Sequence, residues 1–297
     1  MSDCKKRVFK GCATALITPF SKGSIDYESL ERLIEFEINE KADALVVCGT
    51  TGESATLSDD ERRNLISFAV EKVNGRVPVI AGTGCNNISN AVSLSSFASE
   101  CGADAVMTVT PYYNKASAAG LYKSFTAIAD AVKIPVILYN VPSRTGIDIP
   151  LWLYKELAAH ENICAVKEAS GNIVTVASIL ESCEGKLEVY SGNDDMTLPV
   201  LALGGSGVVS VVSNVMPRRV HDLCRAFEEG RVRESAQIQL ELLRLIKVCF
   251  SQVNPIPVKT MASLMGLCSD EMRLPLCALS DKEIDALKSV MREYGLL

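Results

Sequence analysis

Eight short apolar runs, most of them followed by a stretch of helical periodicity, constrain this chain more than any other feature. The runs occupy residues 12–18, 44–48, 77–81, 105–109, 136–140, 163–167, 187–191 and 208–212. Strands that read as near-continuous apolar runs are buried on both faces, so helices must cover them. Such βα units are parallel, and eight of them close most naturally into a (β/α)8 TIM barrel. A doubly wound open sheet is the competing arrangement, but it usually needs fewer strands and would place its ligand where the strand order reverses.

The helical stretches carry their own punctuation. After the second run, Ser58 and Glu61 form a capping box that opens a helix with Leu65, Phe68, Ala69 and Val73 on one stripe, stopping at Asn74-Gly75. The alternation ends near residue 215, with its last helix predicted over 217–229. Residues 236–250 then place Ile238, Leu242, Leu245 and Cys249 at helical spacing, and Asn254-Pro255-Ile256-Pro257 breaks the chain. A second capping box, Ser280 with Glu283, opens a final helix bearing Ile284, Leu287 and Met291. The expected organisation is an α/β barrel over residues 1–230 that carries the active site, with a C-terminal helical extension over 231–297.

Composition removes several functions. A chain of 297 residues with 48% apolar content can bury a large core, and its net charge of −6 offers no basic footprint for nucleic acid. No apolar run approaches the roughly 18 residues of a membrane span. The first seven residues, Met1-Ser2-Asp3-Cys4-Lys5-Lys6-Arg7, lack an apolar signal core, which argues against secretion. Eleven cysteines are scattered without a C-x-x-C pair, and Cys48, Cys164 and Cys249 sit in apolar contexts. Free thiols in a reducing cytoplasm are the expectation. Only His160 and His221 are present, neither with a ligating neighbour at useful spacing, so no metal, no cofactor and no Ser-His-Asp triad is expected.

Active sites of barrels form at the C-terminal ends of the strands. The sixth run, Ile163-Cys164-Ala165-Val166, meets Lys167 there before the chain dissolves into Glu168-Ala169-Ser170-Gly171. A strand-end lysine is commonly a solvated charge, but apolar walls that disfavour the ammonium form make it a nucleophile. The second run ends in Gly49-Thr50-Thr51-Gly52-Glu53-Ser54, a turn able to aim N–H groups at a carboxylate, or simply a tight strand–helix connection. Tyr112 and Tyr113 follow the fourth run and suit core packing, a subunit contact or a site. Tyr139 ends the fifth run, and Arg144 after it offers a planar fork for a carboxylate or a plain surface charge. Ser191-Gly192-Asn193-Asp194-Asp195 follows the seventh run, and the glycines of 204–207 precede the eighth, where they could cradle a phosphate or admit a ligand to the backbone. An amine, phenols, hydroxyls, an anion-binding turn and a guanidinium on one rim suit Schiff-base chemistry on an α-keto acid.

Taken with TALITPF (14–20), GTTGES (49–54), TPYYNK (110–115), YNVPSRTG (139–146), KEASG (167–171), SGNDD (191–195), NPIPVK (254–259) and MRLPL (272–276), the chain resembles the dihydrodipicolinate synthase family of the Schiff-base N-acetylneuraminate lyase superfamily over nearly its whole length. The resemblance implies an aldol-type condensation of pyruvate with L-aspartate 4-semialdehyde, giving 4-hydroxy-tetrahydrodipicolinate in the diaminopimelate and lysine pathway. It assigns the imine to Lys167 and the proton shuttle to Tyr139, relayed through Thr50 to Tyr113 of a neighbouring subunit. Thr51 would bind pyruvate's carboxylate, Arg144 that of the aldehyde, and Gly192 and Val209 would line the imine. It also implies a homotetramer built as a dimer of dimers, with a dimer as the alternative. A sugar-acid lyase such as N-acetylneuraminate lyase would share Lys167 and Tyr139, and Thr51 with Arg144 discriminates against it. A catalytically dead scaffold would be expected to have lost Lys167, Tyr139 or Thr50.

Family members inhibited by lysine use a pocket at the dimer interface, and its residues Ser54, Ala55, Asn86 and Tyr112 are retained here. The pocket's histidines are replaced by Asp59 and Arg62, and the carboxylate that grips lysine's ammonium groups by Asn90. Loss of that charge-assisted hydrogen bond implies weak or absent feedback by lysine.

Overall fold

The computed structural model describes residues 7–297. Eight parallel strands close into a barrel in simple sequential order: β1 (Gly11–Ala15), β2 (Ala44–Val47), β3 (Val79–Gly82), β4 (Ala105–Val109), β5 (Val136–Asn140), β6 (Ile163–Glu168), β7 (Glu188–Ser191) and β8 (Gly207–Ser210), which pairs back onto β1. The expected TIM barrel is therefore the observed one. Closure is tight at the bottom, where Gly11 pairs with Gly207. A Cβ on Gly207 would lie 2.0 Å from the Gly11 carbonyl oxygen, and φ there is +151°, so only glycine fits. The 204–207 glycines thus serve the N-terminal end of β8, opposite the rim on which they were expected to stand. The sequence pattern alone does not show which end of a strand a flanking turn occupies.

Strand alternation sorts the side chains into two cores. Val136 and Leu138 face outward with Val166 into the layer beneath the helices, while Ile137 and Tyr139 face the barrel interior with Ala165 and Tyr190. Small residues (Ala13, Ala44, Ala105, Ala165) alternate with Val46, Ile80 and Met107 inside, which lets eight strands' side chains interdigitate within a narrow barrel. Each fully buried aliphatic side chain contributes about 1.5–3 kcal/mol of transfer free energy.

Around the barrel run α1 (Tyr27–Asn39), α2 (Asp59–Val73), α3 (Ile88–Cys101), α4 (Ala118–Asp130), the one-turn α5 (Pro142–Thr145), α6 (Leu151–Leu157), α7 (Ile173–Cys183), α8 (Thr197–Ala202) and α9 (Pro217–Glu228). The capping box of α2 forms as read: Ser58 Oγ accepts from Glu61 N at 3.2 Å and Glu61 accepts from Ser58 N at 2.8 Å. Two strands end two or more residues before their apolar runs do. β1 stops at Ala15 because Ile17 N donates to the Asn214 side chain, and Thr18 Oγ1 donates to the Gly52 carbonyl. β8 stops at Ser210 because the Asp194 carboxylate takes the amides of Val211 and Val212, turning 212–214 into a 3-10 turn.

Beyond the barrel lie α10 (Val232–Cys249), α11 (Ile256–Leu264) and α12 (Asp281–Glu293). The break at Asn254-Pro255 is real, but a helix that the sequence reading did not expect begins at once after it. Pro257 sits in its first turn, where a missing N–H costs no helical bond. Leu242, Leu245, Met261 and Leu287 join the same apolar cluster as the barrel's outer layer, so the C-terminal helices share its core.

Candidate active site

Lys167 ends the apolar part of β6, and the pleat turns it into the barrel, where it is 5% exposed. Its register partner on β5 is Tyr139. The ammonium nitrogen lies 4.3 Å from the centroid of the Tyr139 ring, which is 6% exposed. Parallel pairing of two strands thus places amine and phenol side by side without any loop. The next residue, Glu168, faces outward and is buried among Asn140 Nδ2 (2.9 Å), Tyr154 Oη (3.2 Å) and Ser170 N (2.7 Å). Burial, and then the charge of Glu168, pushes the Tyr154 phenol far above its ordinary pKa, so it stays a donor. This network anchors the end of β6 from behind.

Above the amine, a cavity of about 210 Å³ is lined by Lys167, Tyr139, Thr50, Thr51, Arg144 and Gly192. Six of the sequence-predicted residues are therefore brought together. Gly192 is required by closeness: its N–H donates to the Glu168 carbonyl at 2.7 Å, and a Cβ would stand 2.5 Å from that of Ala169. Thr51 is buried, and Arg144 projects from α5 with one guanidinium nitrogen 3.4 Å from the Asn254 carbonyl. Val209 lies in the barrel interior on β8 and does not line the cavity. Tyr113 stands apart too, 89% exposed on a turn with φ of +76°.

Asp194 lies buried beside this site. Its carboxylate accepts from Ser210 Oγ and from Val211 N at 3.0 Å. Burial pushes its pKa up, against the pull of those hydrogen bonds and of the Lys167 charge. Among the described residues, no group of three or more His, Cys, Asp or Glu is placed to hold a metal ion.

An adjoining cavity of about 290 Å³ shares Thr50, Val141, Arg144 and Asn254 with the first. Ser54, Ala55 and Tyr112 of the expected effector pocket meet here, beside Arg62 and Cys85. Asn86 is exposed and does not line it, and Asn90 and Asp59 are likewise exposed. Arg62 turns inward and donates to the Gly82 carbonyl at 3.0 Å.

Asn254 and Phe250 were not expected at the site, because both lie in the helical region beyond the barrel. Asn254 is buried and its Nδ2 donates to Thr51 Oγ1 at 2.9 Å. Its place in a helix-breaking Asn-Pro-Ile-Pro segment was the one available signal, and it was legible only as a break.

Residues 8–294 match the model of the dihydrodipicolinate synthetase family. A relative from Acetivibrio thermocellus named 4-hydroxy-tetrahydrodipicolinate synthase is 50% identical over 293 residues, covering 99% of this chain and 100% of the relative. The crystal structure of dihydrodipicolinate synthase from Aquifex aeolicus superposes with a TM-score of 0.96 at 46% identity, covering 97% of this chain and 99% of that one. A monomeric dihydrodipicolinate synthase variant superposes with a TM-score of 0.95 at 40% identity, covering 98% of each chain.

Proposed function

This chain belongs to the dihydrodipicolinate synthetase family, and on that premise we propose how its residues divide the work of one reaction. The reaction is the Schiff-base condensation of pyruvate with L-aspartate 4-semialdehyde to 4-hydroxy-tetrahydrodipicolinate, the first committed step towards diaminopimelate and lysine. The observation that carries the mechanism is the Lys167–Tyr139 pair, an amine and a phenol in contact at the floor of a small polar cavity.

The Lys167 amine attacks the C2 carbonyl of pyruvate, and loss of water leaves an imine. Removal of a proton from the pyruvate methyl gives an enamine, whose carbon adds to the aldehyde and forms the new C–C bond. The amino group of the second substrate then attacks C2, closes the ring and releases the lysine. Tyr139 moves protons in these steps, through Thr50 to the Tyr113 of a neighbouring copy. Thr51 and the backbone of its turn hold the pyruvate carboxylate, and Arg144 the carboxylate of the aldehyde. Gly192 borders the imine.

Two surfaces support assembly as a dimer of dimers. Tyr113 is a large aromatic left 89% exposed, apart from the cavity of its own chain, which suits a residue that completes the site of a second copy. Val174 at the start of α7 and Leu203 after α8 are further apolar side chains left exposed, 65% and 44%, and Leu203 suits a second, smaller contact. Sedimentation of the wild type against Leu203→Glu distinguishes tetramer from dimer. No helix of the described residues is long and apolar enough to cross a membrane, and buried thiols such as Cys12, Cys48, Cys224 and Cys249 suit a reducing cytoplasm. For the pocket around Ser54, Ala55 and Tyr112, we propose weak or absent regulation by lysine.

A coupled assay with pyruvate and L-aspartate 4-semialdehyde, run beside Lys167→Ala, tests the function. Turnover of a sugar acid with the semialdehyde ignored would give the lyase reading instead.

A further inference from the structure

The turn that carries Thr50 and Thr51 is fastened from outside the barrel by a charged pair. Glu53 has a left-handed backbone (φ +53°, ψ +34°), and its side chain reaches α11. There Glu53 Oε1 accepts from Lys259 Nζ at 2.7 Å, and both side chains are 0% exposed. The two residues are 206 positions apart. Lys259 Nζ also lies 4.1 Å from the centroid of the Phe20 ring, on which Arg273 packs at 4.5 Å. The other carboxylate oxygen of Glu53 accepts from Arg273 N at 3.4 Å.

A fully desolvated ion pair is a poor device for stability alone, since apolar residues of equal volume often do as well. What it does supply is directional fixing of the segments that carry it. The turn has little slack: Glu53 N donates to the Thr50 carbonyl at 3.1 Å, and Thr18 Oγ1 donates to the Gly52 carbonyl at 2.7 Å. On its other flank, Asn254, five residues before Lys259, donates to Thr51 Oγ1. Displacing the Glu53 side chain therefore shifts Thr50 and Thr51 relative to Lys167.

We propose that the Glu53–Lys259 ion pair is a positioning device that sets the Thr50–Thr51 turn against Lys167, and so makes the C-terminal helices part of pyruvate capture. The inference rests on the role given to that turn under Proposed function. Neither residue touches the cavity's amine, and both act through the turn.

The test compares Glu53→Asp, Lys259→Met and the double variant Glu53→Gln with Lys259→Met in the full chain. For each, thermal midpoint, pyruvate KM, kcat and borohydride trapping of pyruvate are measured. Glu53→Asp keeps both charges and shortens the arm by one methylene. It is expected to raise pyruvate KM about tenfold or more with the fold retained. The double variant, which buries no net charge, is expected to regain thermal stability relative to Lys259→Met while its pyruvate KM stays raised. A parental pyruvate KM in Glu53→Asp, or in a double variant of parental stability, would overturn the proposal. Thr51→Val separates the two readings: an unchanged pyruvate KM there refutes the role of the turn itself. A raised KM in Thr51→Val with a parental one in Glu53→Asp refutes only the ion pair's part.

Discussion

Lys167 and Tyr139 are direct register partners on adjacent parallel strands, with the lysine nitrogen 4.3 Å from the tyrosine ring centroid. Because the ladder between β5 and β6 sets this contact, it does not depend on a mobile loop, and the phenol is in place before substrate arrives. Lys167→Ala is expected to abolish both turnover and borohydride-trapped pyruvate. Tyr139→Phe should keep the trapped adduct, formed more slowly, while kcat falls about 10²–10⁴-fold, the usual worth of a positioned proton donor. Intact-mass measurement after borohydride treatment reads both outcomes, and loss of trapping in Tyr139→Phe would contradict the division of roles.

Arg144 stands at the mouth of the cavity, against the Asn254 carbonyl. Arg144→Ala should raise KM for L-aspartate 4-semialdehyde about 10–100-fold, the value of a charge-assisted hydrogen bond to a carboxylate, and leave pyruvate trapping at parental levels. Steady-state kinetics with each substrate varied in turn decides it. An equal rise in KM for pyruvate would move Arg144 to the first substrate.

Asn90, an exposed amide in the first turn of α3, brings no carboxylate to the pocket beside the site; Glu53, which borders that pocket, is paired with Lys259, and Arg62 is committed to the Gly82 carbonyl. Added lysine at about 1 mM is therefore expected to leave the rate nearly unchanged, since neutral groups bind an ammonium less strongly than an anion does. Half-inhibition at sub-millimolar lysine in the coupled assay would contradict this.

Arg273 grips Glu61 through two nitrogens, 2.6 Å and 2.8 Å from the carboxylate oxygens, and also donates to the Thr56 and Gly23 carbonyls. Its hydrogen bond lowers the Glu61 pKa from the ordinary 4.5 to about 2. A depressed carboxyl pKa means that the unfolded chain binds the proton more readily. The pair's contribution is thus present above pH 4.5 and lost as pH falls from 4.5 towards about 2. Arg273→Ala should cost about 1–3 kcal/mol at neutral pH and flatten stability against pH in that acid window. Urea unfolding at a series of pH values checks it, and parallel curves for parent and variant would refute the assignment.

The barrel was legible because burial on both faces forces each strand to be an apolar run, and that signal survives in a single sequence. The amine at Lys167, the phenol at Tyr139 and the guanidinium at Arg144 were legible for a related reason, since strand ends and the turns after them form the rim. The helix of Ile256–Leu264 was not, because two prolines at its start read as a break until packing of Val258, Met261 and Ala262 favours one. Likewise, the 204–207 glycines pointed towards a ligand until the Gly11–Gly207 closure placed them at the far end.

What the sequence determined by itself is thus the local chemistry: which residues can form strands, which can attack a carbonyl and which can hold a carboxylate. Contacts between residues far apart in the chain were decided only by the tertiary structure. Asn254 reaches Thr51 across 203 positions and Lys259 reaches Glu53 across 206, and neither spacing has a period that a sequence could display. Hydrophobic periodicity records the environment of a side chain, whereas a hydrogen bond or ion pair records the identity of its partner. Only the closed barrel, with α11 laid against its catalytic rim, brings those partners together.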